Sequence, residues 1–420
     1  MKHILAILAT FLFFIGCGQL VAQQADQRDQ KSDAKQAEHA KEKTAVEPIK
    51  KSDVEELVNA AAGRLLELQE EDGAWPYEGV YRVRPAGIRR PTRKDFVIPV
   101  GYRIGGSSIV CSSLISAKLK DRSKIKAAVA RSTKLILDEL EDPLMEPTIR
   151  DSYDVRVWGH IYALDYFCRL DDTKGFEELK KSTGPWIQKL VDALVLEEIK
   201  GGGWNYANQR RHACFVTSPA LQALMLARQS GASVPDVVLE RGAEVLKNTR
   251  NNRTGAFQYS GTAGRDTLPG SIARGPASEA TMLLLGGGDT EKLQAAINAF
   301  HVHWDELEKR RKKTGTHVPP HGVAPYYFYY GHRYLAQAIK MLPKEKQDDE
   351  FQKFLQVLMK TKDPDNTWND RVFDRSKAYG TAMSLLALSR ENVLLPKKIK
   401  LQPKNADAPK ADAVDSTNAK

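Results

Sequence analysis

Cysteine is scarce in this chain, with four residues in 420, at positions 17, 111, 168 and 214. That is too few for a disulfide framework to carry a fold of this length. Long hydrophobic runs are missing as well. None reaches the roughly 18 residues of a membrane-spanning helix, which excludes a polytopic membrane protein. Strand-type alternation of apolar and polar residues is also lacking, so no element reads as a convincing strand. The excess of basic residues, 63 Lys and Arg against 53 Asp and Glu, comes without any nucleic-acid reading motif, and nucleic acid is not an expected partner. What remains is a composition of 42% hydrophobic and 28% charged residues. A chain with a buried core has such a composition, and a collagen-like or wholly disordered one does not.

The ends differ from the middle. Lys2 and His3 precede an apolar run from Ile4 to Ile15, the length of a signal-peptide core, so residues 1–22 are expected to be an export leader. Phe14-Ile15-Gly16-Cys17 resembles a bacterial lipobox with Phe in place of the usual Leu. Two outcomes stay open: a lipid anchor on Cys17, which is the only membrane attachment expected, or plain secretion with cleavage near Ala22. The expected address is therefore periplasmic, cell-envelope or extracellular. Residues 23–50 are Gln, Lys, Asp, Glu and Ala with almost nothing large and apolar; they cannot offset their own ordering entropy and read as a disordered linker. The tail, 394–420, is rich in Lys, Asp, Ala and Pro and reads as a disordered basic segment for the same reason.

From 51 to 393 the apolar spacing is helical almost throughout, punctuated by Pro and Gly. One set of segments is amphipathic with a charged face, roughly 52–70, 124–141, 176–197, 235–249, 289–312 and 345–361. The other set is apolar or small-residue nearly all round, roughly 103–118, 154–170, 213–229, 270–286, 324–342 and 378–391. The two kinds alternate strictly. A helix with one polar face looks at solvent and one apolar all round is buried on most sides. The alternation therefore predicts an all-α (α/α)6 toroid, six inner helices inside six outer ones, with disordered N- and C-terminal segments.

A repeat of about 55 residues accompanies the helices. Gln69-Glu70-Glu71-Asp72-Gly73-Ala74-Trp75 is echoed by Gly201-Gly202-Gly203-Trp204, Thr254-Gly255-Ala256-Phe257 and Asp365-Asn366-Thr367-Trp368. Gly, or Asn in the last copy, supplies a left-handed turn after an outer helix, and the aromatic two residues on folds back as a cap. This run resembles the repeat of squalene-hopene cyclases and protein prenyltransferase β subunits. The resemblance covers most of 52–392 and implies the toroid; it does not fix an activity, because the matching residues are structural turns. The resemblance would imply an Asp-x-Asp-Asp proton donor in a class II cyclase, and that motif is absent here. The zinc ligands of a prenyltransferase would be an Asp, a Cys and a His, of which this chain offers only His212, Cys214 and His321 as weak counterparts. No cofactor and no metal are expected.

The connections are lopsided. Those leading from outer to inner helices are long (71–102, 142–153, 198–212, 250–269, 313–323, 362–377), whereas the return connections are short. All the long loops should thus share one end of the ring with the N-termini of the inner helices, which favour anions. Arg82, Arg84, Arg89, Arg90, Arg93, Lys94, Arg150, Arg210, Arg211, Arg265 and Arg375 fall in or beside those loops. Arg103, Arg156, Arg274, Arg371, Tyr326 and Tyr329 are the expected ligand-binding residues, since Arg suits carboxylate, sulfate or phosphate. Asp154, His160, Glu279, His321 and Tyr326 are the candidates for acid–base chemistry. The aromatic run Tyr326-Tyr327-Phe328-Tyr329-Tyr330 reads either as core or as the lining of a central cavity shared with His321 and His332. The first expectation for function is an enzyme acting on an anionic polysaccharide or related ligand in that cavity. A non-catalytic binding or scaffold protein of the cell envelope and an isoprenoid-processing enzyme are the alternatives.

Overall fold

The computed structural model describes residues 47–77, 82–83, 96–117, 119, 122–148, 155–207, 210–261 and 266–399. The expected export leader with Cys17, nearly all of the expected linker, the tail from 400 on, and Asp154, Arg150 and Arg265 lie outside the described residues, as do the side chains of the Arg-rich first loop.

Among the described residues twelve principal helices follow in chain order: α1 Lys51–Glu67, α2 Val100–Ser116, α3 Ser123–Leu140, α4 Arg156–Asp172, α5 Glu177–Leu196, α6 Cys214–Gln229, α7 Asp236–Thr249, α8 Gly275–Leu284, α9 Thr290–Val302, α10 Phe328–Lys340, α11 Lys344–Met359 and α12 Lys377–Leu388. The even-numbered helices pack in the cyclic order α2, α4, α6, α8, α10, α12 and back to α2, which closes an inner ring. Each odd-numbered helix lies outside, packed against the inner helix that precedes it around the ring, which for α1 is α12. The fold is the α/α toroid that the repeat implied. The extended pairing among the described residues is slight: Arg82–Val83 runs antiparallel to Phe96–Val97 in the first long loop, and three isolated bridges join other loops.

Burial follows the two kinds of helix. Along α2 every residue but Arg103 is buried, whereas α3 buries only one face, including Ile125, Val129, Ile136 and Leu140. Small residues let the inner helices approach: a Cβ on Gly105 of α2 would fall 2.3 Å from the Trp158 ring of α4. The outer series departs from expectation once. The segment expected as one helix over 289–312 breaks at His303 and restarts as a short helix, Trp304–Glu308, which turns the Trp304 indole inward to His332 at 2.9 Å.

The repeated turns share one geometry. Gly73, Gly202 and Gly255 have φ of +95°, +111° and +75°, and Asn366 takes +59°, the left-handed values that the spacing predicted. The Trp75, Trp204 and Trp368 indoles donate to the carbonyls of Leu65, Leu194 and Leu358, each ten residues back at the end of the preceding outer helix. Their backbone N–H groups donate to Ser107, Thr217 and Thr381 hydroxyls on the following inner helix. In these three repeats one aromatic residue thus ties the outer helix to the next inner one, and at Leu65 and Leu194 it satisfies a helix-end carbonyl left open by the helix. Phe257 fills the same buried place without the indole donor.

The chain after α12 does not leave the ring at 393. Residues 392–399 run without regular structure along the short-loop end, over the C-terminal ends of four inner helices. Arg169 of α4 donates to the Leu394 carbonyl at 2.6 Å, and Lys340 of α10 donates to the Arg390 and Val393 carbonyls. The Lys397 N–H reaches Gln229 at the end of α6, and the Ile399 N–H reaches the Leu284 carbonyl of α8. The first residues of the expected disordered tail therefore form a strap, held by backbone groups that composition does not reveal.

Candidate functional site

The inward faces of the inner helices carry aromatic rings. On α4, Trp158 and Tyr162 are four residues apart and share a face, with Asp165 and Arg169 continuing it. Tyr77, Tyr102 of α2, Trp158 and Tyr379 of α12 form one cluster, with ring centroids 4.3 Å apart for Tyr77 and Tyr379, 5.4 Å for Tyr77 and Trp158, and 5.6 Å for Tyr102 and Trp158. Phe215 of α6 meets Tyr330 of α10 at 6.2 Å, although α8 separates those helices around the ring. Contacts of this kind are made only by side chains pointing at the axis. The Tyr162 and Tyr334 phenols lie beside one another, and because α4 and α10 are opposite members of the ring, that contact crosses the axis and floors the cup above it.

The wall residues keep a trace of exposure. Trp158 and Tyr162 each keep 7% exposure and Tyr102 keeps 6%, whereas Leu164 and Leu221, which face the outer ring, keep none. The cup lies toward the long-loop end, where the inner helices begin. Burial pushes the Tyr162, Tyr330 and Tyr379 phenols well above their ordinary range, so each stays a neutral hydroxyl.

The residues singled out from sequence are distributed differently. Arg156 and His160 are two residues either side of Trp158 and so lie on the far face of α4, toward the outer ring. There His160 Nδ1 is 3.0 Å from both carboxylate oxygens of Glu197, and Arg156 Nε is 4.0 Å from one of them. Glu197, at the C-cap of α5, is the partner that sequence reasoning missed. Its only sequence signal was a carboxylate at the end of an outer helix, one among many. Glu279 also faces outward, held by Arg250 at 2.6 Å. Burial raises its pKa, with the Arg250 hydrogen bond opposing.

Arg274 is buried and already engaged, donating to the Gly270 and Phe257 carbonyls and to Asp266 at 2.7 Å, with its guanidinium 5.2 Å from the Tyr327 ring centroid. Arg103 pairs with Asp72 at 2.8 Å and Glu139 at 2.5 Å. Arg371 lies over the Phe373 ring. Tyr329 is fully buried and donates to the Thr361 carbonyl. Tyr326 sits at the rim, its hydroxyl 2.9 Å from His317 Nε2. His321 meets Thr267 at 3.0 Å, His212 meets the Gly261 carbonyl, and the Cys214 thiol donates to the Gln258 carbonyl with its pKa pushed up to about 11 by burial. Among the described residues no three His, Cys, Asp or Glu side chains gather as metal ligands. The structure brings together rings from five inner helices and from Tyr77, and of the described acid–base candidates, His160, Glu279, His321 and Tyr326, it places none on the cup wall.

His332, expected beside the cavity, points to the outer ring instead. Its Nδ1–H donates to the Phe328 carbonyl at 2.7 Å and its Nε2 accepts from Trp304. Burial lowers its pKa to about 3 and that of His301 to about 4. With native values below the unfolded value, the unfolded chain binds more protons, so this contribution is complete above pH 6.5 and falls as pH drops toward 4. The loss is about 1.4 kcal/mol per pH unit for each histidine. Unfolding in urea at pH 7.5 and pH 5.0 is expected to show the acid loss, and His332→Gln, which keeps an acceptor for Trp304, to reduce the difference. An identical difference in that variant would contradict the assignment.

No protein-family model and no curated protein sequence matches this chain. Among solved structures, it is similar to the apo type II terpene cyclase MstE from Scytonema, at 13% identity and a TM-score of 0.49, over 82% of this chain and 99% of that one. It is similar also to the glycoside hydrolase family 76 mannosidase Bt3792 from Bacteroides thetaiotaomicron VPI-5482, at 11% identity and a TM-score of 0.48, over 81% and 98%. A D-mannose isomerase gives 13% and 0.48, over 79% and 97%. None of these activities is carried over to this chain.

Proposed function

We propose that this is an exported protein that binds an anionic glycan in the aromatic cup at the long-loop end of its ring, and that it acts there as a binding protein rather than a catalyst. The observation that carries this reading is the axial cluster of Tyr77, Tyr102, Trp158 and Tyr379, gathered from one loop and three inner helices and keeping a trace of exposure. Flat aromatic faces suit the C–H faces of sugar rings, and the basic excess of the chain favours an acidic glycan. Binding is preferred to catalysis because the acid–base candidates His160 and Glu279 are committed to Glu197 and Arg250 away from the cup. Export rests on the leader-like segment, with attachment through Cys17 as its anchored form.

Calorimetric titration with oligouronates and with neutral oligosaccharides of equal length tests the reading. Trp158→Leu is expected to weaken oligouronate binding about tenfold, and Trp186→Leu, on the outer helix α5, to leave it unchanged. Equal effects of the two substitutions, or turnover of the glycan during titration, would contradict it. Displacement of the glycan by a polyprenyl alcohol would favour an isoprenoid ligand instead.

A further inference from the structure

Beneath the Tyr162–Tyr334 contact the ring encloses a second group of polar residues, separate from the cup. Arg333 of α10 is buried to 6% exposure, yet its one hydrogen bond is to a neutral amide, Gln337 Oε1 at 3.1 Å, and its guanidinium lies 5.0 Å from the Tyr334 ring centroid. No carboxylate among the described residues pairs with it. The one nearby, Asp165 of α4, is held on both oxygens by Arg169 at 2.7 Å. The amides lead away from the charge without cancelling it: Gln337 donates to Gln222 of α6 at 2.8 Å, and Gln222 donates to Thr281 of α8 at 2.8 Å. Two arginines and one aspartate leave one net positive charge inside the ring. The region also borders space, since Asp165 keeps 20% of its side chain exposed.

A buried cation without a counter-charge is costly, and proteins otherwise pair such groups or neutralise them. We propose that this chamber, formed by Arg333, Tyr162, Tyr334 and Gln337 with Arg169 and Asp165 at its edge, binds a small carboxylate monoanion. One net charge matches a monoanion. A dianionic phosphate would face the Asp165 carboxylate with only one uncommitted guanidinium. The planar fork of Arg333 fits two carboxylate oxygens, and the neighbouring Tyr162 and Tyr334 phenols carry hydroxyl donors for a further acceptor. The site does not depend on the glycan reading of the cup above it.

Thermal unfolding of the full chain in sodium acetate or formate, against sodium chloride and sodium sulfate at matched ionic strength, tests the proposal. The carboxylates are expected to raise the midpoint beyond chloride, by mass action on the folded state. Arg333→Met and Arg333→Gln should weaken the acetate affinity read from this rise at least tenfold, while Trp158→Leu, in the cup, keeps it. Arg333→Gln retains polar character should the Met variant fold poorly. Acetate acting no differently from chloride, sulfate matching acetate, or a response that Trp158→Leu removes and both Arg333 variants keep would each overturn the site.

Discussion

Replacing Trp204 with Ala is expected to lower stability by about 3–5 kcal/mol, the range for removing a fully buried large aromatic side chain. The ring is completely buried between α5, α6 and α7, and three separate ties end on this residue. Its indole satisfies the Leu194 carbonyl at 2.8 Å, its backbone N–H donates to Thr217, and its carbonyl accepts from the Ala213 N–H. Truncation opens a cavity and orphans the Leu194 carbonyl at one stroke. Trp204→Phe should recover most of the loss, leaving about 1–3 kcal/mol for the unpaired carbonyl, because the fourth repeat already works with Phe257. Urea unfolding followed by circular dichroism measures both. A cost below about 1 kcal/mol for the Ala variant, within the range of ordinary surface changes, would show that the repeated aromatic does not hold the rings together.

Glu197→Ala should be comparably severe, also about 3–5 kcal/mol, because it leaves Arg156 and His160 inside the protein without the carboxylate between them. Arg156 keeps 1% exposure and His160 keeps 3%, so water does not take over that role. The charge explanation and the simple loss of volume separate in a double variant. Glu197→Leu combined with Arg156→Met removes both charges while filling the space, and should be clearly more stable than Glu197→Leu alone. Additive losses would mean that Arg156 and Glu197 do not act as a pair. Neither substitution touches the cup, so glycan binding at a temperature where the variants remain folded should be unchanged.

The order and kind of the twelve helices were legible because each has its own apolar pattern, buried all round for α2 and one-sided for α3. The left-handed turns were legible because Gly and Asn recur two residues before a large aromatic. The site was less so. Arg156, Trp158, His160 and Tyr162 all sit in the first two turns of α4, and which pair faces the axis is decided by packing against α2 and α5, not by local sequence. Gln222 and Gln337 meet across 115 residues of chain, and Tyr162 meets Tyr334 only because the ring closes. Arg274 stood out as a cation near an inner helix start, but the same neighbourhood supplied Asp266 and two carbonyls to hold it. The strap at 394–399 was hidden because its contacts are made by backbone atoms within a low-complexity stretch.

The claim on which the functional reading turns is that the ligand enters the ring. A crystal structure of the full chain with a bound oligouronate tests it most directly. The expected result is a sugar ring stacked on Trp158 and Tyr379 above the Tyr162–Tyr334 contact, with the rest of the glycan leaving through the long-loop end. A glycan bound on the outer helices or beneath the strap, with the cup side chains unchanged and uncontacted, would contradict the account.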